Sequence, residues 1–337
     1  MTAEVGLGIF LTFMAGLFAG NCMLPAKFVR HWQWENTWLV FNLVSLVVLP
    51  WLFALLFIGD VRAIYTSLSS QQLAVPFLFG AGWGVAQILF GLSIARLGLA
   101  LGYAIIIGFS AVLGTFVPLF FKNRDIFGTS KGNLIVTGMV VMVAGIIVAG
   151  WAGRQRERRL SDPPNPGLTS GYASALTLAI ICGLTAPMLN YSFAFGQDIA
   201  QEAVRRGSSL ANASYAILPI SLAGGFLPNL LYSLYLLRQK KSWSFFSPLQ
   251  PDLFFGSLMG LLWTGAFALY GMSAAYIGSL GTSVGWALYN IFMIMTANVS
   301  GIVTGEWSGA SRGTLALLSA GLVLLTFATI LIALGNR

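Results

Sequence analysis

Ten long apolar stretches, separated by short polar links, dominate the hydrophobic pattern of the chain. Each stretch is long enough to cross the hydrocarbon core of a bilayer as one helix, which takes roughly 20 residues. The stretches cover about 5–28, 37–58, 73–95, 98–121, 133–152, 170–195, 211–237, 253–276, 279–303 and 313–334. The pattern therefore predicts an all-α integral membrane protein with ten transmembrane helices.

One link differs from the others in length and composition. Residues 153–168 carry several charges and three prolines, a composition typical of a linker. We therefore expect a first five-helix repeat over 1–152, this linker, and a second five-helix repeat over 169–337. Because five is odd, a duplicated second half enters the bilayer from the opposite side, which is the inverted-repeat plan of many secondary transporters.

A short motif occurs once in each half. The segment from Trp83 to Gly98 has Trp, Gly, Ser, Ala and Gly at the same relative positions as the segment 263–278, 180 residues later. Both segments end one predicted span and lead into the next, so they indicate a duplication. Chance similarity between two Gly- and Ala-rich stretches is the alternative.

Composition agrees with a membrane location. Of the 337 residues, 57% are hydrophobic and 8% are charged, and the mean hydropathy is +0.82. Soluble domains have about 25% charged residues. The net charge of +8 does not indicate nucleic-acid binding, because the basic residues lie in links, where they orient helices.

The basic residues also predict an orientation. Eleven of the 18 Lys and Arg residues fall on one side of the predicted topology, the side that includes the linker. That side is expected to face the cytoplasm, which places both termini in the periplasm of a bacterial inner-membrane protein. The first apolar stretch lacks a basic flank and a clear cleavage site, so we expect a retained helix there.

The sequence lacks the groups of residues that enzyme active sites usually need. There is one His and no phosphate-binding glycine loop, so we expect no metal site, no cofactor and no ATP-driven motor within this chain. Cys22 and Cys182 both fall in apolar stretches, so we expect no disulfide framework. An integral-membrane enzyme is the alternative from another class, but the predicted spans contain no cluster of His, Cys or acidic residues.

Amide and aromatic side chains inside the predicted spans are the best candidates for a ligand site. An amide in hydrocarbon is costly unless it faces protein or water. Amides bond hydroxyl groups and aromatic faces cover the C–H side of a sugar ring, so the combination favours a small neutral sugar. Each amide could instead hold two helices together. The predicted substrate-binding residues are Asn21, Trp83, Gln87, Asn190, Trp263, Trp286, Tyr289 and Asn290.

The sequence offers less support for particular proton-coupling residues than for the ligand-site residues. A proton-coupled carrier usually has a titratable group that both sides of the membrane can reach. All ten acidic residues lie in links or near span ends. Glu35 and Glu306 are the predicted proton carriers, with Lys27 as a basic neighbour of Glu35. Helix capping or pairing with basic residues is the alternative role.

Several short segments, in order along nearly the whole chain, match one known family. They are Trp32-Gln-Trp34-Glu35-Asn-Thr-Trp38, Phe79-Gly-Ala-Gly-Trp83-Gly84, Arg96-Leu97-Gly98, Tyr215-Ala-Ile-Leu-Pro219, Gly260-Leu-Leu-Trp263 and Gly305-Glu306-Trp307. On these residues the chain resembles the bacterial L-rhamnose–proton symporters of the drug/metabolite transporter superfamily. The resemblance implies ten helices, outside termini and alternating-access import of a sugar with protons.

Four positions depart from the family pattern, and we expect them to face the ligand cavity. Leu89 and Ala266 stand where family members carry polar residues, while Thr282 and Ser283 replace bulkier side chains. The resemblance therefore implies a neutral sugar, a 6-deoxyhexose such as L-rhamnose or a relative, without fixing which one. The alternative within transport is an exporter or facilitator of another small metabolite, such as an amino acid or a nucleoside.

Overall fold

The computed structural model describes residues 3–160, 172–247 and 251–336. Within these ranges the regular secondary structure is helical throughout, which confirms the all-α prediction. The α-helices are α1 (Ala3–Asn21), α2 (Trp34–Leu43), α3 (Leu49–Phe57), α4 (Val61–Ser67), α5 (Ser70–Leu97), α6 (Leu99–Lys122), α7 (Ser130–Leu160), α8 (Tyr172–Thr185), α9 (Met188–Phe195), α10 (Gln197–Arg205), α11 (Leu218–Gln239), α12 (Pro251–Ile277), α13 (Gly281–Val303) and α14 (Arg312–Gly335).

The described residues contain nine apolar helical stretches that are long enough to cross a membrane. One of them, Pro251–Val303, has 53 residues. A straight helix of that length would measure about 80 Å, far more than the roughly 30 Å of the hydrocarbon core. The stretch instead turns at Gly278–Leu280 into α12 and α13. Counted as two crossings, it brings the total to the ten predicted spans.

Some helix boundaries differ from the sequence prediction. The fifth span was predicted to end at 152, but α7 continues to Leu160 because the Arg, Gln and Glu residues that follow are good helix formers. The part of the predicted linker from 161 to 168 lies outside the described residues. The second span runs from α2 into α3 through a π-helical turn, Val44–Val48. The short helices α4 and α10 fall in or beside predicted links.

The two halves have corresponding packing partners. Helix α1 packs against α12 and α13, while α8 packs against α5 and α6. Helix α2 packs against α11 and α12, and α11 packs against α2 and α5. The last helices of the two halves, α7 and α14, pack against each other. The contacts named here therefore occur in pairs, with one contact of each pair for each of the two predicted repeats.

Two glycines make the tight turns between consecutive spans. Gly98 joins α5 to α6 with a φ of +85°, and Gly278 follows α12 with a φ of +86°. A side chain is strained in this left-handed region, whereas glycine adopts it freely. These are the last residues of the two copies of the motif, so equivalent sequence positions have nearly the same φ.

A buried carboxylate fixes the first link against the start of α12. Asp252 is 1% exposed and accepts three hydrogen bonds from backbone N–H groups. The donors are Arg30 at 3.0 Å, His31 at 2.7 Å and Trp32 at 2.8 Å. A negatively charged acceptor suits three converging donors, which would otherwise be left unpaired beside apolar surface.

We expect Asp252→Asn to lower the free energy of unfolding by about 2 kcal/mol, because an amide replaces one acceptor oxygen by an N–H group that faces other donors. Asp60→Asn is the matched control. Asp60 caps α4 by accepting from the Ala63 N–H at 2.9 Å, a position where Asn and Asp are equally good. Thermal unfolding of the purified proteins in detergent measures both variants. Equal midpoints for the two would contradict the role of Asp252 in fixing the first link against α12.

Candidate functional site

A central cavity of about 540 Å³ lies between the two halves of the molecule. Its lining comes from six of the ten predicted spans, namely the first, third, fourth, sixth, eighth and ninth, and in addition from α7, which is the fifth. The cavity reaches the surface where α1, α7 and α13 end, because the half-exposed side chains of Lys27 and Glu306 line that end.

Two aromatic pairs form the apolar wall of the cavity. Trp83 and Trp263, which occupy equivalent positions in the repeated motif, stack with ring centroids 5.1 Å apart and an interplanar angle of 27°. Trp286 and Tyr289 stack at 5.5 Å and 26°. Phe267 lies between the pairs, with its ring centroid 4.5 Å from Trp263 and 5.5 Å from Tyr289. The broad aromatic faces suit the C–H side of a flat ligand.

Amide side chains provide the polar part of the lining. Asn21 donates to the Leu17 carbonyl at 2.9 Å, and Asn290 donates to the Trp286 carbonyl at 2.8 Å, each within its own helix. One of the two N–H groups of each amide is thereby used, and the oxygen of each side chain remains an acceptor beside the cavity. Gln87 makes no hydrogen bond with the described part of the chain. Such groups match a ligand that carries O–H donors.

Asn190 differs from the other predicted binding residues because it does not line the cavity. It is fully buried and donates at 2.8 Å to the backbone carbonyls of both Gly114 and Thr282. Its oxygen accepts from the Tyr270 hydroxyl. The amide therefore ties α9 to α6, α12 and α13 on the closed side of the cavity, as in the helix-joining alternative.

Charged side chains gather at the cavity mouth. Lys27 forms an ion pair with Glu306 and also donates to the Thr304 hydroxyl at 3.2 Å. An Nη atom of Arg156 lies 3.7 Å from the other oxygen of Glu306, and the guanidinium sits 5.0 Å from the centre of the Trp307 ring. Glu306 is thus held between two cations at the entrance.

Glu35 lies away from this group and from the cavity. It is fully buried, where it accepts from Lys240 at 2.9 Å and from the Ser242 hydroxyl at 2.5 Å. The ion pair joins the start of α2 to the link after α11. Lys27, expected beside Glu35, contacts Glu306 instead.

The opposite end of the cavity is closed by contacts between the halves. Gln72 at the start of α5 donates to Asp198 at 2.9 Å, and Ser67 donates to Glu202 at 3.1 Å, both acceptors belonging to α10. Tyr65 donates to the Ala216 carbonyl at 2.8 Å. The structure is therefore open towards the end that carries Glu306 and closed towards the end that carries α10.

Sequence reasoning missed several lining residues. Asn298 lies two helical turns beyond Asn290 and donates to the Ile294 carbonyl at 2.9 Å, so its spacing from Asn290 on one helix was a usable signal. Tyr103 and Arg156 also line the cavity, without any comparable signal. The positions that depart from the family pattern were expected at the cavity, but none of them lines it: Leu89, Ala266, Thr282 and Ser283.

The residues that line the cavity are suited to binding a ligand and not to making or breaking its covalent bonds. No group of three or more His, Cys, Asp or Glu side chains that could hold a metal ion occurs in the described ranges. The charged groups stand at the mouth, while the middle of the cavity combines aromatic faces with neutral amides. This arrangement can hold a neutral, hydroxyl-bearing molecule in an apolar surround.

Comparison with known proteins gives one consistent result. A sequence model of the L-rhamnose-proton symport protein family matches residues 1–337. The chain is similar to proteins named L-rhamnose-proton symporter from Enterobacter sp. (29% identical over 350 residues), Klebsiella pneumoniae subsp. pneumoniae (30% over 347) and Cronobacter sakazakii (29% over 347). Each match covers 99% of both chains.

The different surroundings of two amides lead to opposite expectations for stability without ligand. Asn190→Ala leaves the two carbonyls and the tyrosine hydroxyl without their partner, so we expect a loss of at least about 2 kcal/mol in the free energy of unfolding. Gln87→Ala removes no internal hydrogen bond and introduces a better helix former, so its unfolding midpoint should match the parent protein. Thermal unfolding in ligand-free detergent checks both, and a normal midpoint for Asn190→Ala would remove its structural role.

Proposed function

Since the chain belongs to the L-rhamnose-proton symport protein family, we propose that it imports a small neutral sugar, a 6-deoxyhexose such as L-rhamnose or a relative, together with protons. The relatives named above are symporters, and they match from end to end. The exporter or facilitator of another metabolite is not favoured by these matches, and neither is an enzyme.

The observation that carries the proposal is the pairing of aromatic faces with acceptor amides in one cavity. Trp83, Trp263 and Trp286 present ring faces, while Gln87 and Asn290 present groups that can accept from sugar hydroxyls. An anionic substrate would call for cations beside the ligand, but Lys27 and Arg156 stand at the mouth. The volume of about 540 Å³ lies in the usual range for small-molecule sites.

Alternating access follows from the proposed inverted repeat. The corresponding packing partners and the matching φ values of Gly98 and Gly278 support two five-helix units, 1–152 and 169–337, related by a twofold axis in the membrane plane. The Trp83–Trp263 stack would lie on that axis. In the proposed orientation both termini are periplasmic, so the open end of the cavity faces the cytoplasm and the molecule is in an inward-facing state.

For coupling, Glu306 is the better of the two proposed carboxylates because it lines the cavity mouth. Protonation of Glu306 would release its ion pair with Lys27 and weaken its attraction to Arg156. The charge state of this one group would then affect how firmly the ends of α1, α7 and α13 are held together. Glu35 has no such access, since Lys240 and Ser242 enclose it.

For binding, we expect Gln87→Ala and Asn290→Ala each to weaken sugar affinity by about 2- to 13-fold, the equivalent of one lost hydrogen bond of 0.5–1.5 kcal/mol. Gln239→Ala is the matched control, because Gln239 is an exposed amide at the end of α11 and does not line the cavity. Isothermal titration with L-rhamnose and related monosaccharides measures the three affinities. Parent-like affinity in both cavity variants would remove these residues from the site.

For coupling, we expect Glu306→Gln to lose sugar accumulation driven by a pH gradient while keeping sugar exchange between the two sides. Exchange requires no net proton movement, so it separates coupling from binding. Glu35→Gln is the control. It should still concentrate sugar when equal amounts of folded protein are compared. Uptake and counterflow in proteoliposomes measure both activities, and gradient-driven accumulation by Glu306→Gln at the parent level would place the proton route elsewhere.

A further inference from the structure

A second cavity, also of about 540 Å³, lies on the outer face of the bundle between α6 and α7. Each helix contributes residues with the same spacing, so the cavity is a groove between two regular helix faces. The α6 side consists of Leu101, Ala104, Ile105, Gly108, Phe109 and Val112. The α7 side consists of Val143, Ile146, Ile147, Gly150, Trp151 and Arg154. Arg154 is the only charged residue among them.

The length of the groove matches one leaflet of a bilayer. From Val143 to Arg154 is eleven helical steps, about 16 Å, which is roughly half of the 30 Å hydrocarbon core. Trp151 at the same end is 59% exposed, as expected for a tryptophan at the membrane interface. The apolar part of the groove therefore spans the depth of an acyl chain, and Arg154 stands at the level of the lipid head groups.

Among the described residues, Arg154 has no partner for its charge. It is half-buried, yet it makes neither an ion pair nor a hydrogen bond with the described residues. The neighbouring Arg156 is directed to Glu306 and Trp307 instead. Glu157, one turn after Arg154, lines the central cavity and lies near Gly98. A half-buried guanidinium at head-group level is a good binding group for phosphate.

We propose that this groove is a binding site for an anionic phospholipid, with one acyl chain between α6 and α7 and the phosphate on Arg154. The charge selects an anionic head group over a zwitterionic one, and the paired helix faces hold the chain. The site belongs to the leaflet on the side where the central cavity opens.

The groove and the central cavity share part of their walls. Ala104, Ile146 and Gly150 line both. Two of these three side chains are small or absent, so little protein separates the lipid chain from the cavity at this point. A bound lipid would complete the wall of the cavity between α6 and α7 and would limit how far these helices separate.

Native mass spectrometry of the purified full-length protein, titrated with phosphatidylglycerol or phosphatidylcholine, tests the proposal. We expect the parent protein to retain one phosphatidylglycerol in preference to phosphatidylcholine. Arg154→Gln should reduce that preference about fivefold, which corresponds to roughly 1 kcal/mol for one basic residue near a membrane surface. Arg238→Gln is the control, because Arg238 is an exposed arginine at the end of α11 outside the groove.

A second pair of variants tests the groove without changing charge. A Cβ at Gly108 would meet no atom within 4 Å, so the side chain of Gly108→Leu can start into the groove without a clash at its Cβ. It should lower the retention of phosphatidylglycerol, whereas Gly91→Leu, at an equally open glycine of α5, should not. Equal binding of both lipids by the parent protein would overturn the proposal. So would a dimer that Gly108→Leu converts to monomer, since a second copy would then occupy the groove.

Discussion

The structure depends on one constraint of the bilayer: a polar group in the hydrocarbon layer is costly unless it has a partner or faces water. Asparagine side chains inside the spans meet this constraint in two ways. Asn21 and Asn290 turn their nitrogen to the preceding turn of their own helix and leave the oxygen beside the cavity. Asn190 satisfies its amide across three other helices. The first solution prepares groups for a ligand, and the second holds the bundle together.

The same constraint explains what could be predicted from sequence. Long apolar runs leave only helices as spanning elements, so the all-α architecture and the ten spans followed from the pattern alone. The aromatic and amide content of the spans also identified seven of the residues that line the cavity, because aromatic and amide side chains are unusual inside apolar spans: Asn21, Trp83, Gln87, Trp263, Trp286, Tyr289 and Asn290.

The sequence could not predict how each helix is rotated about its own axis, or which side chains pair across the bundle. Asn190 and Gln87 both carry a primary amide inside a predicted span, and only the packing of α9 against three helices separates their roles. Likewise, Glu35 and Glu306 both lie near span ends within segments of the family pattern, but Glu35 pairs with Lys240, which is more than 200 positions away in sequence. A charged helix end such as 153–160 is also difficult to distinguish from a linker when prolines follow it.

The stacked pair Trp83–Trp263 has a thermodynamic consequence. Under the proposed exchange of the two halves, a contact on the twofold axis persists in both conformations and cancels from their energy difference. Contacts at the two ends do not cancel. The Gln72–Asp198 hydrogen bond closes the α10 end and favours the inward-facing conformation, whereas a contact that closes the other end favours the outward-facing conformation. The resting equilibrium of the carrier would then be set by these few peripheral bonds, so its central site could adapt to a new ligand while that equilibrium stays unchanged.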